Sequence, residues 1–334
     1  MPAKYFMISN RILQDGDLAN IRGPLTFWLT ENPKVTTLAN WTSVTADDFK
    51  KAVLQVSDAF PALAPASAED QKHVTLFIHG YNNSWQDAAN RYQSIISNLF
   101  SGDASLGLCI LFTWPSDGAY LGYYPDQVQA RETAPDLSRV LNEFYDWLLA
   151  KQKATMRDPA NACKAKTSII AHSMGNYVLQ KAMQLTWIRQ NQPLLVSLVN
   201  QMLLVAADID NDLFKMGEGT DKSDGDAMAN LTYRVTALYT GRDPILGLSA
   251  GLKHFGKRRL GRSGLDRSNP LPDNVWDVDC STLIPPDSTD IHSSYFEATS
   301  PKTIELMRQL LKGVDRTVLV RNGVAPGGQP PPDV

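Results

Sequence analysis

Short, densely apolar runs recur along the chain and alternate with stretches whose apolar residues fall at helical spacing. Val74–Ile78, Gly107–Thr113, Thr167–Ala171, Met202–Ala207, Arg234–Thr240 and Val275–Cys280 are such runs. They lack a regular polar alternation, the pattern of strands covered on both faces. Between them, Ser84 caps a helix predicted to reach Phe100. Pro125–Ala150 presents Val140, Leu141, Phe144, Trp147 and Leu148 as one apolar face, with a break expected near Pro135. Gly175–Trp187 places Val178, Leu179, Ala182, Met183 and Trp187 at helical spacing. An earlier helix opens at Thr45, with acids in its first turn, and runs to about Ala59; a last one covers Pro301–Lys312. Tyr5–Ile8 and Leu25–Leu29 read as leading antiparallel strands at the sheet's edge. Strands alternating with helices predict an α/β fold, a mostly parallel central sheet with helices on both faces.

No internal repeat or linker divides the pattern, so residues 1–321 read as a single domain. Ile209–Asn230 and Gly247–Pro272, rich in glycine and polar residues, read as loop insertions on its surface. The stretch from Asn322 to Val334 contains Gly-Gly-Gln-Pro-Pro-Pro and is expected to be disordered.

Composition narrows the function classes. The 334 residues are 43% hydrophobic and 20% charged, ordinary for a soluble globular protein. A formal charge of −3 supplies no electrostatic reason to bind nucleic acid or an anionic membrane. Cys109 and Cys280 lie in apolar runs and read as small buried hydrophobes; with Cys163 they make no ligand spacing. Asp208, Asp210 and Asp212 imitate the start of a calcium loop, but Leu213 stands where its glycine belongs and Gly219 where its glutamate belongs. Neither a metal nor a cofactor is expected. The N-terminus lacks the apolar core of a signal peptide, and no run has the length of a membrane span. A cytoplasmic protein with no stable membrane anchor is the expectation.

Chemistry concentrates around Ser173. The strand Thr167–Ala171 turns into the helix from Gly175 at that serine, with the small residues Ala171 and Gly175 two positions to either side. A sharp strand-to-helix turn needs small flanking residues and lifts the hydroxyl clear of the sheet. A serine hydroxyl is a poor nucleophile and needs a base, with a third group orienting that base. His254 and His292 follow the serine; His292, after the last strand, is the favoured base. Asp243 and Asp208 each end a strand between serine and histidine, and Asp243, on the later strand, is preferred as the acid. An oxyanion would need two preset N–H donors. Met174 N–H supplies one, and Tyr81 or Gly80, in the loop after Val74–Ile78, supplies the other, with Tyr81 assigned. His79, Tyr120, Tyr123 and Tyr124 are candidates to line a substrate pocket.

His79-Gly-Tyr-Asn-Asn83, Phe112-Thr-Trp-Pro-Ser116, Ala171-His-Ser-Met-Gly175, Asp243 and His292 together resemble the α/β-hydrolase superfamily, and within it a bacterial branch of esterase- and lipase-like hydrolases. The likeness covers roughly Leu25–Lys312. It implies an α/β-hydrolase fold and a Ser-His-Asp hydrolase acting on a small-molecule carboxylic ester without a cofactor. Ala171 departs from the more usual glycine of this turn. Lipase, thioesterase, peptidase, amidase and acyltransferase chemistry would use the same groups, and a non-catalytic hydrolase-fold ligand-binding protein is the rival of a different class.

Overall fold

The computed structural model describes residues 4–61, 70–116, 123–158, 164–190, 197–217, 224–253 and 256–327. The chain opens with a hairpin of β1 (Tyr5–Gln14) and β2 (Asp17–Thr30), closed by Asp15-Gly16 with both residues at positive φ. That is the backbone a two-residue turn requires between twisted strands. β3 (Thr42–Val44) and α1 (Ala46–Asp58) follow, the helix capped by the Thr45 side chain on Asp48 N. The alternating part runs β4 (Lys72–Ile78), α2 (Trp85–Leu99), β5 (Gly107–Thr113), α3 (Tyr123–Arg157), β6 (Ala165–His172), α4 (Gly175–Gln190) and β7 (Val199–Val205). It continues through α5 (Asp226–Asn230), β8 (Thr232–Tyr239), α6 (Pro244–Leu248), α7 (Leu260–Ser263), β9 (Val275–Asp279), α8 (Pro301–Lys312) and α9 (Arg316–Arg321).

Among the described residues, nine strands form one sheet in the order β3-β2-β1-β5-β4-β6-β7-β8-β9. The β1–β2 and β2–β3 pairs are antiparallel, and every pair from β1–β5 onward is parallel. The hairpin strands are longer than the short runs read from sequence, and β3 has no apolar signature at all. The sheet is covered on both sides, as its apolar strands demand. Val74, Leu76 and Ile78 of β4 pack with α1, α3, α4 and α5 on one face. Phe77, one step out of phase, packs with α2, α8 and α9 on the other. Each fully buried side chain of this size contributes about 1.5–3 kcal/mol.

The expected break at Pro135 does not occur; α3 runs through it. Proline removes one backbone donor, but Ala130, Ala134, Leu137, Val140 and Leu141 are all buried against the core, and that packing outweighs the lost bond. The two stretches read as surface insertions send some side chains inward. Ile209, Leu213 and Phe214 are buried, as are Leu260 and Gly261. Beyond Asn322, Val324 and Ala325 hydrogen-bond to Leu319 O and Ala325 is buried, so the chain stays packed here; residues 328–334 lie outside the described set. No described helix is long and apolar enough to cross a membrane.

β4 leads to β5 on one side and, through α3, β6 returns to its other side. The crevice above the carboxyl ends of β4 and β6 is therefore the switch point at which open α/β sheets place ligands. Ser173 sits there, one residue past β6.

Candidate active site

Ser173 adopts φ +52°, the left-handed region that costs a residue with a Cβ roughly 1–2 kcal/mol. The surroundings hold it there. Its N–H donates to Val205 O (3.0 Å), and its carbonyl accepts from Asn176 N (3.1 Å) and Asp208 N (3.2 Å). The buried Asn176 side chain donates to both Ala171 O (3.1 Å) and Ser173 O (3.0 Å), lacing the end of β6 to the first turn of α4. The close approach depends on missing side chains. A methyl on Gly175 would collide with the carbonyls of Ile78 and His79, and one on Gly80 would stand 2.7 Å from Ser173 Cβ.

His292 follows β9 and is presented by a turn in which Ser293 N and Ser294 N both donate to Asp290 O. Its Nδ1–H donates to Asp243 Oδ2 at 2.6 Å, both residues being buried. Asp243 caps α6, its Oδ1 accepting Leu246 N–H at 3.0 Å. One carboxylate oxygen is thus fixed by backbone and the other is aimed at the imidazole. Asp208, the other aspartate weighed from sequence, is committed elsewhere. Its Oδ1 accepts from Arg259 Nε (2.7 Å) and from Ser249 Oγ (2.9 Å), burying a charge pair beside the Ser173 turn. Arg259 also pairs with Asp210, and Lys257 with Asp210 and Asp212, so the aspartates that imitate a calcium loop hold basic side chains. Arg259, the last residue of the basic run 257–259, is buried. Among the described residues no group of three potential ligands could hold a metal.

The histidine segment is tied down by neighbours that sequence spacing does not reveal. His172 Nε2–H donates to His292 O (3.0 Å), and the two rings lie 4.8 Å apart. Arg91 reaches Ser293 O (3.0 Å) from α2, and Asn98 reaches Phe296 O (2.9 Å). Ser173 Oγ makes no hydrogen bond to His292.

The loop after β4 is similarly braced. His79 donates from Nδ1 to Gly80 O (2.8 Å), its Nε2 accepts Trp114 N–H (3.1 Å), and its ring stacks on Trp114. Trp114 Nε1 donates to His79 O (3.0 Å), and Arg11, from β1, donates to Asn83 O (2.8 Å) and Thr113 Oγ1 (2.9 Å). His79, assigned from sequence to the substrate pocket, is instead buried beneath the loop with both ring nitrogens engaged. The Met174 N–H has no acceptor among the described residues, and Tyr81, half-buried, stands across the crevice on the braced loop. Tyr120 and His254 lie outside the described residues; Tyr123 and Tyr124 open α3.

Three histidines are held neutral. Burial, with Lys166 adding to it, pushes His73 down to about 3; burial and then the Arg11 charge bring His79 to about 3. Burial, followed by His292, lowers His172 well below the ordinary range. A folded value below the unfolded one means that the unfolded chain takes up protons first as pH falls. For His73 and His79 the stability is therefore whole above about 6.5 and is lost progressively toward 3, at roughly 1.4 kcal/mol per pH unit for each ring; His172 adds in the same direction. His73 lies in the sheet beside Ser168, remote from His292, and isolates the effect. In His73→Gln the fall of Tm between pH 6.5 and 4 should be shallower than in the wild type; equal slopes would contradict the assignment.

Residues 62–309 match the model of a protein family described as alpha/beta hydrolase of unknown function (DUF900). No curated protein matches the chain by sequence. Among solved structures, Aspergillus fumigatus lipase B aligns with 86% of this chain at 13% identity and a TM-score of 0.42. This chain covers 63% of that lipase, less than two thirds of its length. A thermostable esterase from Pseudomonas putida aligns over 92% of this chain and 83% of its own, at 11% identity and a TM-score of 0.37. A carboxyl esterase from Tuber melanosporum aligns over 73% and 78%, at 14% identity and a TM-score of 0.35.

Proposed function

The chain belongs to this alpha/beta hydrolase family, and from that premise we propose that it is a serine carboxylic ester hydrolase acting on short- to medium-chain esters. One observation carries the reading: His292 is hydrogen-bonded to the buried Asp243, the cap of α6, while Ser173 is held at φ +52° on the turn alongside.

In this reading His292 Nε2 takes the Ser173 proton as Oγ attacks the ester carbonyl. The tetrahedral oxyanion accepts hydrogen bonds from the Met174 and Tyr81 N–H groups. Asp243 holds the imidazole in the tautomer with its proton on Nδ1, leaving Nε2 free to act as base, and stabilises the imidazolium that forms. Collapse of the intermediate expels the alcohol, which takes its proton from His292. Water, deprotonated by the same ring, then attacks the acyl-enzyme and releases the carboxylic acid.

The test is a p-nitrophenyl ester series from acetate to palmitate, run beside labelling with a fluorophosphonate probe. Turnover of the shorter esters and a label on Ser173 are expected. Activity confined to long chains above their solubility limit would replace the esterase reading with a lipase one. A folded protein that neither turns over the series nor takes the label would be a ligand-binding member of the fold.

A further inference from the structure

Arg242 precedes Asp243 and has no carboxylate partner among the described residues. Its guanidinium is spent on four carbonyls of one segment. Nη1 donates to Ser281 O and Ile284 O (both 3.0 Å), and Nη2 donates to Pro285 O and Pro286 O (both 3.1 Å). This is the segment that leaves β9 and leads, six residues later, to His292.

The chemistry of the segment explains why it needs such a partner. Pro285 and Pro286 have no N–H, so this stretch has little with which to donate to neighbouring backbone. Its carbonyls are what it can offer, and they converge on one side. A planar fork of fixed donors can satisfy several converging carbonyls together, whereas an ammonium offers its donors from a single point. The neighbouring bonds tie in the same direction. Cys280 N donates to Tyr239 O (2.7 Å) and Gly241 N to Ser281 Oγ (3.3 Å), so the end of β8 and the end of β9 are already in contact where the fork inserts. The acid of the Asp243–His292 pair thus sits next in sequence to the side chain that anchors the segment delivering the histidine.

We infer that Arg242 is a positioning residue: it sets the His292-bearing segment against the Asp243 strand, so that the imidazole meets the carboxylate in working geometry. The inference rests on the hydrolase reading for its catalytic consequence and on the contacts alone for its structural one. Arg242 touches neither substrate nor reacting atoms.

The experiment compares wild type, Arg242→Lys and Arg242→Met on the ester best turned over by the wild type, with amide hydrogen exchange measured on the same samples. Misplacement of a base on this scale costs about 10- to 100-fold in kcat. That loss is expected in Arg242→Met, with KM within threefold of wild type and a smaller loss in Arg242→Lys. A fold weakened in general would raise exchange throughout. The clamp predicts faster exchange confined to residues 280–293, with the β4–β6 amides unchanged.

A folded Arg242→Met with unaltered exchange in 280–293 overturns the inference whatever its activity. So does faster exchange there with kcat unchanged. If the wild type itself turns over no ester and ignores the fluorophosphonate, the hydrolase reading fails, and the exchange comparison alone still decides whether Arg242 holds the segment.

Discussion

Ser173→Ala should remove ester turnover, lowering kcat by about 10⁴-fold or more, while its Tm stays within a few degrees of the wild type. The size follows from the role. Without the hydroxyl there is no acyl-enzyme, and what is left comes from binding and the oxyanion donors alone. The unchanged stability follows from the contacts. Ser173 engages its neighbours through backbone atoms, with Val205 O, Asn176 N and Asp208 N, and alanine keeps all three. Alanine also bears the same left-handed backbone penalty as serine. Burst kinetics with a p-nitrophenyl ester and a thermal melt on one preparation suffice. Residual kcat within tenfold of wild type would place the nucleophile elsewhere.

Asp243→Asn should be nearly as severe, with kcat down by about 10³- to 10⁴-fold, for a reason visible in the cap. Leu246 N–H needs an acceptor and will hold the amide oxygen at 3.0 Å, where Oδ1 now lies. The amide nitrogen is then turned toward His292 Nδ1, which must accept instead of donate. The imidazole proton moves to Nε2, and the face toward Ser173 has no lone pair with which to act as base. Asp208→Asn is the contrasting variant. It leaves the imidazole alone and takes one charge from a buried pair with Arg259, which keeps Asp210, at a cost of about 1–3 kcal/mol of stability. The two aspartates should therefore separate cleanly, one in kcat and the other in Tm. A fall in kcat for Asp208→Asn with Asp243→Asn active would reverse their roles.

Much of the architecture was legible because it rests on local signals. The apolar runs of β4, β5 and β7 can only be covered strands, and Ser84 announces α2 by a capping box that the structure completes with Asp87. What escaped depends on partners distant in sequence. Pro135 looks like a break until α3 is seen packed along its length. The 209–230 stretch has a loop's composition yet turns Phe214 fully inward. At the site, the small residues around Ser173 are a local necessity and stand out in any reading. Asp208 and Asp243 both end parallel strands, and no spacing separates them; only the strand order does, by setting β8 next to the strand from which the His292 segment departs. The braces on that segment from Arg91, His172 and Arg242, and on the loop after β4 from Arg11 and Trp114, are contacts across the sheet that leave no periodic trace.

The backbone at Ser173 sets the residue there against the most stable choice. Glycine enters the left-handed region without the Cβ penalty, so Ser173→Gly would gain on the order of 1 kcal/mol in the fold, offset in part by a looser unfolded chain. Stability alone therefore favours glycine over serine here. Proteins tolerate such standing losses where another demand outweighs them. The hydroxyl is the one thing this position has to show for its strain.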